Sequence, residues 1–392
     1  MPDSVITSVA KQSRQRCYYI DWLRFFAILG VFLIHVGEVF TPYCALKNDK
    51  TSTTILIFDS FIFLWIMPFF FFLAGASAKF ALDARTASQF LKERFFRLII
   101  PYVVGVLILI PPMSFITELS RSQIHGSFFA YYSRFFRNFE YTGGLGFLHK
   151  IGGHLWFLPF LFITSAVTIP FFLYLRTSSG QTLISKITGL CQRYGLLTLF
   201  IIPVVLIHFA FRVGFVGLND WQNLLYFLPF YILGFVVFSD KWFEQIIERK
   251  ILTALAVGIL CFAFMAIMCL VGGEKLEIHP SWSWLSVLYS LIRTLNVWAW
   301  ILFFTGVGVK FLNRPNAFYG YAVEIILPFY ILHYAVIRFV TYYVVRWHTD
   351  IAVKFLSLGI ISFIMTIVLY EVIVRHLNIM RFLFGMRIRK TR

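Results

Sequence analysis

Predominantly apolar stretches of about 20 residues recur along the 392-residue chain, separated by short polar segments where Lys and Arg gather. An α-helix rises 1.5 Å per residue, so roughly 20 apolar residues cross the ~30 Å hydrocarbon core of a bilayer. The pattern predicts ten spans, near residues 19–40, 54–78, 98–118, 154–175, 195–213, 221–239, 251–271, 284–309, 317–340 and 355–374. Helix is expected throughout, because an open sheet would leave edge backbone groups unpaired in lipid. The expected fold class is all-α: a polytopic membrane bundle of about ten transmembrane helices, forming one domain over residues 1–392. It would carry a tail at 1–18, a long loop at 119–153 and a basic tail at 375–392. No soluble domain, internal repeat or low-complexity tract interrupts the pattern.

Composition agrees: 59% of residues are hydrophobic, 14% are charged and the mean hydropathy is +0.79. A net charge of +17 would suggest nucleic acid for a soluble chain, so the distribution of charge decides. With the N-terminus inside, segments 11–16, 79–97, 176–193, 241–250, 310–314 and 375–392 hold most of the 35 Lys and Arg, and the alternate loops fewer than half as many. That is the positive-inside pattern. It predicts both termini cytoplasmic and explains the basicity without a nucleic-acid partner. Lys11, Arg14 and Arg16 precede the first apolar stretch as in a signal peptide, but Asp21 and Arg24 interrupt it, which predicts an uncleaved span. The five cysteines are scattered and show no metal-site spacing.

Within the 119–153 loop, the aromatic run from Phe128 to Phe139 carries Arg134 and Arg137 and reads as interfacial. Gly143, Gly144, Gly146, Gly152 and Gly153 then surround His149 and Lys150, either to let backbone approach a ligand or as a flexible connector.

Ionisable groups inside spans are expensive and normally face the bundle interior. Arg24 and His35 stand 11 residues apart in the first span, which is about 16 Å of rise and about 20° of rotation, so they share a face. Arg24 falls near the cytoplasmic boundary, where it either snorkels or holds a phosphate through paired hydrogen bonds; acyl-CoA fits the second role. His35 lies past the midplane, as an interhelical hydrogen-bonding group or as a base for an acceptor hydroxyl. Glu38, three residues on, can fix its tautomer. Asp59, His154, His208 and His333 fall at comparable depth, each as a structural polar group or part of a site. Glu324 and Glu371 lie near inner span ends, with Arg293 and Arg338 as expected ion-pair partners. Of the basic segment from Arg85 to Arg97, Arg94 and Arg97 are candidates for extending a phosphate-binding surface, whereas Arg85 and Lys92 read as topology-setting charge.

These residues resemble the membrane-bound acyltransferase family 3 over nearly the whole chain. Its Arg-x10-His pair matches Arg24 and His35, after Tyr19-Ile20-Asp21-Trp22-Leu23. Its Phe-Phe-x-x-Ser-Gly motif is similar to Phe70-Phe71-Phe72-Leu73-Ala74-Gly75, with Ala74 where Ser is common. Arg94-Phe95-Phe96-Arg97 resembles its arginine-rich entry to the third helix, and His154-Leu155-Trp156-Phe157-Leu158 and Tyr330-Ile331-Leu332-His333 complete the set. The opening and the His154–Leu158 run are most similar to the group that contains glucan biosynthesis protein C. The resemblance implies transfer of an acyl group, acetyl or succinyl, from cytoplasmic acyl-CoA to a hydroxyl of a glycan or lipid-linked sugar at the outer face of a bacterial inner membrane. It also implies Arg24 and His35 as the functional pair; taken with the reading of the residues, His35 and Glu38 would be catalytic, Arg24, Arg94 and Arg97 would hold the donor, and Asp59, His154, Trp156 and His333 would bind substrate or support the site. Membrane lipid is the remaining expected partner, and no metal is expected. The competing class is a proton-coupled transporter or flippase, in which the same His, Glu and Arg residues would form a relay.

Overall fold

The computed structural model describes residues 17–121, 126–137, 146–195, 220–270 and 284–389. Regular structure among them is helical, without strands. Eight stretches are long and apolar enough to span a bilayer: Tyr18–Phe40, Thr53–Ala84, Ala87–Ser120, Phe147–Leu175, Ile251–Met268, Val287–Phe311, Tyr319–Val344 and Ile351–Val374. A bent pair, Leu224–Val237 with Lys241–Arg249 at 103°, makes a ninth if read as one span. The protein is thus an all-α, multi-pass integral membrane bundle. The expected fifth span with His208, the basic residues before 17, and Gly143 and Gly144 lie outside the described residues.

The helices in chain order are α1 (Tyr18–Gly37), α2 (Thr53–Ala84), α3 (Ala87–Arg94), α4 (Ile100–Ile108), α5 (Ile110–Ser120), α6 (Phe128–Arg137), α7 (Gly146–Gly152) and α8 (Phe157–Leu175). Then come α9 (Ser178–Tyr194), α10 (Asp220–Val237), α11 (Lys241–Arg249), α12 (Ile251–Leu270), α13 (Trp284–Phe311), α14 (Tyr319–Val344), α15 (Ile351–Leu369) and α16 (Asn378–Leu383). Local chemistry sets several starts. Ser52 accepts from the Ile55 amide ahead of α2, and Thr86 forms a reciprocal cap with Gln89 ahead of α3. The third span is segmented: a π turn at Phe95–Ile99 precedes Pro101, and the Pro111–Pro112 pair opens α5, each a point where the helical hydrogen-bond ladder is interrupted.

Shielding by protein separates inner from outer spans. The most apolar windows of α1, α13 and α14 are 56%, 61% and 56% buried, against 22% for both α12 and α15, which therefore face lipid. Lipid tails offer no hydrophobic drive between helices, so close backbone approach matters. Gly75 on α2 and Gly234 on α10 supply it: a Cβ at Gly75 would overlap the Tyr231 carbonyl oxygen, and one at Gly234 the Phe72 carbonyl oxygen.

The stretch 119–153 contains the amphipathic α6, whose Tyr131 donates to Glu118 at 2.9 Å and whose Tyr132 donates to the Leu107 carbonyl at 3.1 Å. At the Arg24 end, the basic segment after α15 folds back on the bundle. Arg381 is buried and donates to Glu324 at 2.6 Å, and Gly385, at φ +68°, lies against the Arg97 carbonyl oxygen and Pro101.

Candidate functional site

Arg24, Ile28, Val31 and His35 recur at the i, i+4, i+7, i+11 positions that form one stripe of α1. Three of them, Arg24, Ile28 and Val31, line a cavity of about 290 Å³. Its other walls are Met67, Phe70, Ala74 and Ser77 of α2, Phe157, Leu158 and Leu161 of α8, and Leu327 and Tyr330 of α14. Arg85, Arg94 and Arg97 also reach it, with Glu93 as the carboxylate among them. The Arg24 guanidinium is fixed from three sides. It donates to Asp21 at 3.4 Å, to the Leu73 carbonyl at 3.2 Å and to the Ser77 hydroxyl. Asp21 is itself held by the Tyr319 hydroxyl at 2.5 Å. Arg94 donates to the Ala74 carbonyl at 3.4 Å and lies 5.0 Å over the Phe90 ring, while Arg85 pairs with Glu93 at 2.8 Å. One end of the cavity is therefore a group of guanidinium ions with few counter-charges, suited to an anion; the middle is apolar and aromatic.

Further along the stripe lies a second polar group. His35 Nδ1 donates to Glu38 Oε2 at 3.2 Å, which leaves Nε2 as the lone-pair nitrogen. The other Glu38 oxygen accepts from Tyr334 at 2.8 Å and from Arg338 at 3.2 Å, and Arg338 also donates to the Tyr334 hydroxyl. A carboxylate held this way orients the imidazole and stabilises its protonated form, the arrangement that lets histidine act as a base. Arg338 Nη1 lies 3.1 Å from the sulfur of Cys44. Burial pushes the Cys44 thiol up, and it donates to the Leu46 carbonyl at 3.2 Å.

The His35 ring is 4.2 Å from that of Tyr334 and 5.4 Å from that of His333, and His154 is 5.0 Å from Tyr334 and 5.8 Å from His333. His35, Glu38, His154 and His333 thus form one cluster, joined to the cavity by Tyr330, whose hydroxyl donates to the His154 carbonyl at 2.5 Å. Arg24, Arg94 and Arg97 meet at the opposite end. Asp59 is buried against the backbone of Gly37, where a Cβ would overlap its carboxylate, and is not hydrogen-bonded to the cluster. Trp156 packs on Phe160 and Phe227, 5.3 and 5.6 Å away by ring centroids.

Some partners differ from the expected ones. Arg338 serves Glu38 instead of Glu324 or Glu371, Glu324 takes Arg381, and Glu371 takes Arg375 one turn away at 2.9 Å. Arg85, expected only as topology-setting charge, also lines the cavity. Ser77 and Tyr334 were not singled out from sequence, and Tyr330 stood only in the Tyr330-Ile331-Leu332-His333 motif, with no role of its own. Ser77 had a signal, a hydroxyl in an apolar run one turn beyond Ala74, whereas tyrosines in an aromatic-rich chain carry none.

Residues 18–371 match the family described as an acyltransferase domain. Glucans biosynthesis protein C of Escherichia coli K12 is similar at 22% identity over 394 residues, covering 95% of this chain and 94% of that protein. The protein of the same name from Escherichia coli O157:H7 matches to the same extent. No solved structure matches the chain.

Proposed function

The chain belongs to this acyltransferase family, and on that premise we propose that it moves an acyl group from cytoplasmic acyl-CoA to a hydroxyl of a glycan or lipid-linked sugar on the far side of a bacterial inner membrane. The observation that carries the reading is the single stripe of α1 that begins at a guanidinium cluster, runs along a cavity and ends at a carboxylate-held histidine. The glycan acceptor draws on the printed name of the Escherichia coli relatives.

In this reading the donor's phosphates lie at Arg24, Arg94 and Arg97, whose forked donors match phosphate oxygens. Its thiol arm follows Ile28, Val31, Phe70 and Phe157, and the separation of about 16 Å from Arg24 to His35 brings the thioester to the imidazole. His35 Nε2 takes the proton of the acceptor hydroxyl as its oxygen attacks the thioester carbonyl. Collapse of the tetrahedral adduct forms the ester and breaks the C–S bond, and the departing thiolate takes the proton back from His35. Glu38, fixed by Tyr334 and Arg338, holds the His35 tautomer and balances the transient imidazolium.

The test is acyl transfer by purified full-length protein in lipid nanodiscs, with acetyl-CoA or succinyl-CoA as donor and a glucose oligosaccharide as acceptor. His35→Ala is expected to abolish ester formation while acyl-CoA binding persists. Full activity in that variant would overturn the mechanism.

A further inference from the structure

The cavity of about 290 Å³ is smaller than the donor assigned to it. Pockets for drug-sized ligands run to about 300–1,000 Å³, and an acyl-CoA is larger than such a ligand. With the thiol arm inside and the pyrophosphate at Arg24, Arg94 and Arg97, the nucleotide end and its ribose phosphate lie outside the mouth. The C-terminal segment borders the mouth there. After α16 the chain closes on itself: Asn378 donates to the Arg389 carbonyl at 3.1 Å and accepts from the Arg389 amide at 3.0 Å, and Arg381 Nε donates to the Arg387 carbonyl at 2.9 Å. The closed segment is pressed against the cavity wall. Phe382 lies 6.0 Å from the Phe96 ring, and Gly385, at φ +68°, abuts the carbonyl of Arg97 and the side chain of Leu327, both residues of the cavity lining.

The arginines of this segment are not equivalent. Arg381 is buried and donates to Glu324 at 2.6 Å, and Arg375 and Arg389 each stand 3.9 Å from the same carboxylate. Arg387 is exposed, has no carboxylate partner among the described residues, and lies close enough to Arg97 for their charges to repel. Glu93, the carboxylate among the arginines of the cavity, is already engaged by Arg85 at 2.8 Å. Two guanidinium ions held side by side in this way favour an anion between them.

We propose that Arg387 binds the ribose phosphate of the acyl-CoA, which makes the C-terminal segment part of the donor site. This rests on the acyl-CoA reading above and adds to it the nucleotide end, which lies beyond the cavity. The guanidinium fork meets two oxygens of the phosphate, and the bound anion relieves the repulsion between Arg387 and Arg97. An anionic lipid headgroup offers the same phosphate chemistry at the membrane surface, so the test separates the two sources.

Arg387→Gln removes the charge and keeps the backbone carbonyl that Arg381 uses. Full-length wild type and variant are purified in nanodiscs of zwitterionic lipid and, separately, of lipid with anionic headgroups. Affinities are measured for acetyl-CoA and for the acetyl thioester of dephospho-coenzyme A, which lacks only the ribose phosphate. In both lipids the wild type is expected to bind acetyl-CoA about tenfold more tightly than the dephospho donor. The variant is expected to bind both donors as weakly as the wild type binds the dephospho donor, with an unchanged melting temperature. A wild type without the preference, or a variant that retains it, overturns the inference alone. So does a preference that disappears in anionic lipid, which assigns Arg387 to headgroups, or one lost together with melting temperature, which marks a structural role. A wild type that binds neither donor overturns the acyl-CoA reading itself, and the inference with it.

Discussion

Replacing Glu38 by Gln separates the two jobs that the structure gives this carboxylate. One oxygen faces His35 Nδ1 at 3.2 Å; the other receives Tyr334 at 2.8 Å and Arg338 at 3.2 Å. A glutamine cannot serve both sides. With its NH2 toward Arg338 it sets donor against donor, and with its NH2 toward His35 it forces the proton onto Nε2 and removes the base. In serine proteases, an amide in place of the orienting carboxylate lowers kcat by about 10⁴-fold. The Glu38 side chain is 25% exposed, so solvent replaces part of what is lost and the expected drop is about 10²–10⁴-fold, or ~3–5 kcal/mol of transition-state stabilisation. Stability falls too, because the nearly buried Arg338 loses its counter-charge, an effect of about 2–4 kcal/mol after allowance for that exposure. The double variant Glu38→Gln/Arg338→Met removes the stranded charge and is expected to recover most of the melting temperature and none of the rate. The assays are single-turnover acyl transfer at saturating acyl-CoA and thermal melting in nanodiscs. A Glu38→Gln enzyme within threefold of wild-type kcat would refute the carboxylate–imidazole assignment, and so would a double variant that recovered rate along with stability.

Arg24→Lys is expected to raise the KM for acyl-CoA about tenfold, because one ammonium cannot reproduce the fork that meets Asp21, the Leu73 carbonyl and Ser77; a donor titration with unchanged KM would count against the assignment. Gly75→Ala forces α2 off the Tyr231 backbone and is expected to destabilise the bundle by about 1–3 kcal/mol, seen as a lower melting temperature in nanodiscs; an unaltered melt contradicts the packing. For orientation, the exposed positions His348 and Leu377 sit at opposite ends of the last long spans. With both termini cytoplasmic, a membrane-impermeant thiol reagent added to intact cells modifies His348→Cys and spares Leu377→Cys; the reverse pattern means an inverted topology.

The spans were legible because each depends on a local run of apolar residues, and Arg24, His35 and Glu38 because one helix's geometry fixes their mutual placement. What stayed hidden depends on register between helices. Arg338 illustrates the limit. Opposite charge within the spans suggested Glu324 or Glu371 as its partner, yet Glu324 lies on the same helix α14, fourteen residues or about 21 Å away, too far to meet; its actual partner, Glu38, is 300 residues away in sequence. Ser77 is visible as a hydroxyl in an apolar run, but its partner is not, since only the packing of α1 on α2 brings it to Arg24. The pair Glu371 and Arg375, by contrast, sits one helical turn apart and needs no tertiary information. The close approach of Gly75 and Gly234 also had no one-dimensional signal, because a glycine in an apolar span reads the same whether it faces lipid or another backbone.

In the proposed mechanism the donor enters at Arg24 and the acceptor reacts at His35, from opposite faces of the membrane. Proteoliposomes with the protein in one orientation, acetyl-CoA confined to the Arg24 side and a glucose oligosaccharide sealed on the other, test it most directly. Acetyl ester is expected on the oligosaccharide in the compartment that holds no acetyl-CoA, and none with His35→Ala. Ester formed only when donor and acceptor share a compartment would contradict it.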